Sequence, residues 1–136
     1  MTKRNLFLLG VLILAQLVYA GNWDDTKAQA KQENKLILLK FSGSDWCGPC
    51  IQLQKVIFDD PVFEQFAHEK LVLFKADFPR LKKNQLPKEQ QAINDQLAET
   101  YNPEGEFPCM VLIDAQGNTL RKWHGYDKKH TVQDYM

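Results

Sequence analysis

Short apolar runs alternate with stretches of mixed, helix-spaced residues along this chain. "LILLKF", Leu36–Phe41, and "LVLFKAD", Leu71–Asp77, are nearly continuous hydrophobic runs with one lysine each. Their length and continuity predict strands buried on both faces of a central sheet. "CMVLID", Cys109–Asp114, predicts a third strand, "AQGN" a hairpin turn, and "TLRKWHGY" a fourth strand with alternation. Residues 24–34, "DDTKAQAKQEN", lack Gly and Pro and predict a polar surface helix. "CIQLQKVIF" predicts a helix directly after the first strand, with Leu53, Val56 and Ile57 on one side and Ile51, Lys55 and Phe58 on the other. "DDPVFEQFAHE" predicts a cap and a short helix with Pro61 in its first turn. "KEQQAINDQLAETY" places Ile93, Leu97 and Tyr101 at fourfold spacing, an amphipathic helix. Helical sequence separates the first two strands, and a hairpin joins the last two. An α/β fold follows, with a sheet of mixed direction and helices on both faces.

The connectors are polar. "NPEGEFP" is rich in turn residues, and residues 79–88, "PRLKKNQLPK", are basic and bounded by prolines. That second loop reads first as a solvated edge and second as part of a partner-binding surface.

The first twenty residues follow neither pattern. "MTKR" carries two positive charges, "LFLLGVLILAQLVYA" is apolar apart from Gln16, and Val18-Tyr19-Ala20 ends the run on a small residue. This is the layout of a secretory signal peptide cut after Ala20, leaving residues 21–136 as one domain. The apolar run is shorter than the ~20 residues of a membrane-spanning helix, and no cysteine follows the cut to carry a lipid. An uncleaved N-terminal anchor is the other reading. Export places the mature chain where disulfides persist, outside the cytoplasm and across an inner membrane in the periplasm.

Composition adds little. The 136 residues are 44% hydrophobic and 25% charged, with 17 basic and 17 acidic side chains. That balance gives no long-range field to attract nucleic acid, and nothing in it calls for more than a monomer. Three cysteines are too few for a disulfide scaffold.

Those cysteines carry the chemistry. "SDWCGPC", residues 44–50, sets Cys47 and Cys50 where a buried strand ends and a helix begins. A thiol attacks only as the thiolate, and a helix N-terminus favours the thiolate with unpaired N–H groups and the positive end of its dipole. Cys47 sits at that end, and Cys50 lies one turn further in. Gly48-Pro49 closes the short gap, and Pro49 has no N–H to lose there. Trp46 supplies an apolar roof. In this arrangement Cys47 attacks and Cys50 resolves the mixed disulfide. A closed zinc site needs four ligands, and His68, His124 and His130 stand at no ligand spacing from the three cysteines. Neither a metal nor an organic cofactor is implied, and no histidine is placed beside Cys47 for a Cys–His hydrolase. Two readings remain. A redox enzyme would have an exposed bond that exchanges quickly; a non-catalytic secreted binding module would have a stable structural disulfide.

"WCGPC" after a buried strand, with Pro108 opening a later strand, resembles the thioredoxin superfamily. "VLFKAD" and "FPCMVLIDAQGN" extend the likeness over roughly residues 24–126, and "FSGSDWCGPC" is similar to secreted thioredoxin-like proteins. The resemblance implies a thioredoxin fold, a mixed sheet of about four or five strands flanked by helices. It implies a cis Pro108 and a substrate patch of Trp46, Phe107 and Pro108. It also implies a protein-disulfide reductase or exchange catalyst, since Gly-Pro between the cysteines resembles the reducing members. A reductase outside the cytoplasm needs an electron donor, for which a membrane thiol reductase is the expected class. Three departures stand out. Lys40, or Phe41 without an inserted residue, takes the place of a buried acid; Lys40 would favour thiolates if charged, or else snorkel to a sheet edge. The Cys50–Pro108 spacing is long. Cys109 replaces a small polar residue, as a buried hydrophobe or as a third sulfur within reach of the pair.

Overall fold

The computed structural model describes residues 22–136. The N-terminal leader expected from the sequence lies outside them.

Helix α1, Trp23–Glu33, is capped by Asn22, whose side chain accepts the Asp24 N–H, and it ends at Asn34 in the left-handed conformation. Strand β1, Leu36–Ser42, is buried from Ile37 onward. Helix α2, Gly48–Leu53, runs into a π-helical turn at Gln54–Phe58. Helix α3, Pro61–Lys70, starts at Asp60, whose carboxylate accepts the N–H groups of Val62 and Phe63. Strand β2, Leu71–Asp77, follows, then helix α4, Lys88–Tyr101. Strands β3, Cys109–Ile113, and β4, Thr119–His124, form the hairpin. The tail forms a 3₁₀ turn at Val132–Tyr135 with Tyr135 buried.

The four strands are ordered β2-β1-β3-β4. β1 and β2 pair in parallel, and β3 is antiparallel to both β1 and β4. Alternate side chains of the central strands enter opposite cores. Ile37, Leu39, Phe41, Cys109 and Val111 face a core with Ala30 of α1 and Leu97 of α4. Leu38 and Met110 face the other core, with Leu53, Ile57, Phe63 and Ala67 from the helical segment between β1 and β2. The mixed sheet with helices on both faces is the architecture expected above.

One expectation fails locally. The sequence reading continues one α-helix through Phe58, with Val56 on the side of Leu53 and Ile57 and with Phe58 on the other. Instead Asp59 N–H bonds back to Gln54 O at 2.8 Å, the wider π spacing. The extra residue in that turn rotates Val56 outward to 48% exposure, while Ile57 and Phe58 go inward.

Candidate active site

Two parallel strands ending at the same level build the site. β1 delivers the cysteine motif, and β2 delivers Asp77 and Phe78 beside it. Ser44 N–H donates to Asp77 Oδ1 at 3.0 Å, and the Ser44 hydroxyl donates to Oδ2. Cys47 is the N-cap of α2: its sulfur accepts the Cys50 N–H at 3.2 Å, and Pro49 lies in the first turn. Cys47 and Cys50 are joined in a disulfide with Cα atoms 5.2 Å apart. The pair is not open to solvent as the enzyme reading expects, since Cys47 is 5% and Cys50 4% exposed. Gly48 and Pro49 between them are exposed.

Trp46 is fixed on every side. Its indole N–H donates to Phe78 O at 2.7 Å, its ring meets Phe107 edge-on at 5.4 Å, and the Arg80 guanidinium lies 3.7 Å above it. Phe78 completes the cluster against Phe107 at 5.5 Å. A Cβ on Gly43 would stand 2.3 Å from the indole, so only glycine permits this seat. The Phe107–Pro108 bond is cis, as the resemblance implies. Buried Asn102 holds the approach to it, donating to Glu106 O at 2.9 Å and accepting Glu106 N–H at 3.1 Å.

Asp45 is no base for the site. Its oxygens accept Arg80 N–H at 2.9 Å, Leu81 N–H at 3.0 Å and the Asn84 amide at 3.0 Å. The Arg80 bond foremost, then those of Asn84 and Leu81, holds its carboxyl below the ordinary range.

The departures resolve by face. Lys40, not Phe41, points beneath α2: its ammonium donates to Gln54 Oε1 and lies 3.9 Å from the centre of the Phe58 ring. It is 7% exposed, so it does not snorkel to an edge. Burial first, then the charge of Lys75, pushes its pKa down to about 8, against the pull of Asp59 and Asp77. Cys109 is a free thiol, fully buried in the core between the sheet and helices α1 and α4. Burial pushes it up to about 11. Its neighbour Met110, not Cys109, belongs to the core beneath α2. Strand alternation is what turns Cys109 into that core and away from the face on which α2 lies.

Gly43, Phe78, Asn102 and the tie between Ser44 and Asp77 were not singled out from the sequence. The parallel pairing of β1 and β2 is the signal that would have found Phe78, because it brings both strand ends to one level. Among the described residues, no three His, Cys, Asp or Glu side chains are grouped to hold a metal ion. Nor is any helix among them long and apolar enough to cross a membrane.

Comparison with known proteins agrees with this geometry. The family model described as thioredoxin-like domain matches residues 23–136. "Disulfide bond reductase DsbH" of Chlamydia pneumoniae is 42% identical over 93 residues, which cover 68% of this chain and 54% of that protein. "Thioredoxin-related protein DsbJ" of the same organism is 27% identical over 98 residues, 71% of this chain and 27% of that protein. The chain thus spans about half the length of the first relative and about a quarter of the second. A solved structure titled "DsbH Oxidoreductase" superposes with a TM-score of 0.75 at 34% identity, over 85% of this chain and 77% of that one. A disulphide isomerase from Xylella fastidiosa shares the fold alone, with a TM-score of 0.55 at 19% identity over 72% of this chain and 67% of that one.

Proposed function

Because the chain belongs to the thioredoxin-like domain family, we propose that it is a thiol–disulfide oxidoreductase working in the reducing direction on protein disulfides. The observation that carries this is Cys47 as the N-cap of α2, with Cys50 one turn inside. Once reduced, the Cys47 sulfur faces the positive end of the helix, which favours its thiolate. That thiolate attacks one sulfur of a substrate disulfide, and the other leaves as a thiolate that takes up a proton. Cys50, deprotonated, then attacks the Cys47 sulfur of the mixed disulfide. The second substrate thiol is released, and Cys47–Cys50 holds the two-electron oxidation.

Roles follow for the neighbours. Trp46, Phe107 and Pro108 form the apolar patch for an extended substrate. Gly48 and Pro49 set the turn between the sulfurs. Lys40, charged below about pH 8, sits against Gln54 and Phe58 in the turn that continues α2 and favours negative charge on the cysteines. The resemblance of "CGPC" to reducing members and the DsbH name of the 42%-identical relative support the direction. No cofactor enters the exchange. An electron donor is required, and a membrane thiol reductase remains the class that fits.

Residues 1–20 are read as an export signal on their own sequence, a charged start, an apolar run and a small residue at position 20. On that reading the domain works in the periplasm, and it is taken to act as a monomer. N-terminal sequencing of exported protein then gives Gly21 first; retention of Met1 would mean an anchor.

Burial of both cysteines is also what a structural disulfide in a binding module would show. Insulin reduction with dithiothreitol separates the two. The wild type accelerates precipitation of the insulin B chain at least tenfold over dithiothreitol alone, and Cys47→Ser abolishes the acceleration. Equal rates for wild type, variant and blank would establish the binding module instead.

A further inference from the structure

The loop after β2 is basic and is built onto the redox motif. From Phe78 to Lys88 it contains Arg80, Lys82, Lys83 and Lys88 and no acidic residue, in a chain balanced at 17 of each sign. A solvated charge run would need no fixed seat. This one has two. Asp45, two residues before Cys47, accepts the consecutive N–H groups of Arg80 and Leu81 and the Asn84 amide. Arg80 stacks on Trp46 at 3.7 Å, directly beside the attacking cysteine. Gln85 ties the loop internally by donating to Pro79 O at 3.0 Å, around the 3₁₀ turn at Lys82–Asn84. The residues from Arg80 to Gln85 are exposed, Leu81 at 48%.

Charge is distributed unevenly about the site. Toward the cis-proline, Glu104 pairs with Lys122 at 2.9 Å, and Glu106 pairs with His124. Arg80, Lys82 and Lys83 have no ion-pair partner among the described residues. The oxygens of Asp45 are taken up by the loop's own donors, and Asp77 and Glu89 stand just outside its two ends. The loop therefore presents a net positive rim with an apolar tip on one side of Cys47, while the carboxylates on the opposite side have partners of their own.

We propose that this rim selects substrates, its occupant being a polypeptide segment with Asp or Glu side chains beside the disulfide to be reduced. Both Lys82 and Lys83 are exposed and carry their charges on long stems, so they act by steering and rim contact rather than by burial. Interactions of that kind raise encounter rates and are screened by salt, over a distance of about 10 Å at 0.1 M and about 3 Å at 1 M. The inference rests on the reductase reading and deepens it by naming the substrate class.

The test is single-turnover reduction of two disulfide-linked peptides by prereduced protein, followed by acid quench and chromatography. The peptides differ only in carrying Glu or Lys on both sides of the disulfide. Neutral hydroxyethyl disulfide reports whether the dithiol reacts at all. The expected second-order rate is at least fivefold higher for the Glu peptide at low salt, with the ratio falling towards one in 1 M NaCl. The double variant Lys82→Glu, Lys83→Glu is expected to remove or invert the ratio. Equal rates for the two peptides in the wild type, or a preference that survives 1 M salt or the double variant, would overturn the proposal. Loss of hydroxyethyl disulfide reduction by the wild type would instead overturn the reductase reading beneath it.

Discussion

Lys40 is the residue whose position says most about tuning. A buried ammonium with a single amide acceptor is costly, and burial accordingly pushes its pKa down to about 8 from an ordinary 10.5. The unfolded chain keeps that proton until about pH 10.5, whereas the folded protein releases it near pH 8. Between those values the unfolded state binds more protons, so stability rises with pH. Lys40→Met removes the penalty. The variant should be more stable than the wild type in urea at pH 7, with the gain shrinking as pH rises from 8 towards 10. It should also reduce insulin several-fold more slowly at pH 7, because the buried ammonium proposed to favour the thiolates is then gone. A variant whose stability difference does not change with pH would show that Lys40 titrates normally. At Cys109, the same sheet whose alternation turns Lys40 towards α2 turns the thiol into the opposite core. A third cysteine next to the cis-proline is legible in the sequence, but the face it points to depends on strand register.

At the scale of elements, β1, β2, β3 and α4 were legible almost to the residue. Continuous apolar runs and fourfold spacing leave little choice of structure. The cysteine motif was legible for the same reason, since a strand, a break and a helix are all local signals. What escaped is non-local or depends on backbone geometry. The π turn at Gln54–Phe58 changes which side chains face the core without changing composition. Asn102 acts through two hydrogen bonds to a residue four positions on, and Gly43 through a tryptophan seat closed by Phe78 and Phe107. The π register is checked by paired substitutions. Ile57→Ala should cost about 2–5 kcal/mol, as truncation of a fully buried aliphatic side chain does. Val56→Ala should stay within about 0.5 kcal/mol, as expected for an exposed position. Comparable losses at both positions in urea melts would restore the uninterrupted α-helix.

At the scale of the molecule, a four-stranded sheet separates two kinds of environment. One face holds a largely apolar core with a buried free thiol; the other carries the helix that begins at the redox pair, with a buried lysine packed against its continuation. The strand ends gather Trp46, Phe78 and Phe107 around Cys47, and the loop from Phe78 adds charge to that rim. The central claim is that Cys47 attacks and Cys50 resolves. Removing the resolving thiol should stall the reaction at its intermediate. Cys50→Ser, prereduced and mixed with a disulfide-linked peptide, should accumulate a one-to-one mixed disulfide, located at Cys47 by mass spectrometry of the digested adduct. An adduct on Cys109, or no adduct beyond that formed by the Cys47→Ser, Cys50→Ser double variant, would contradict it.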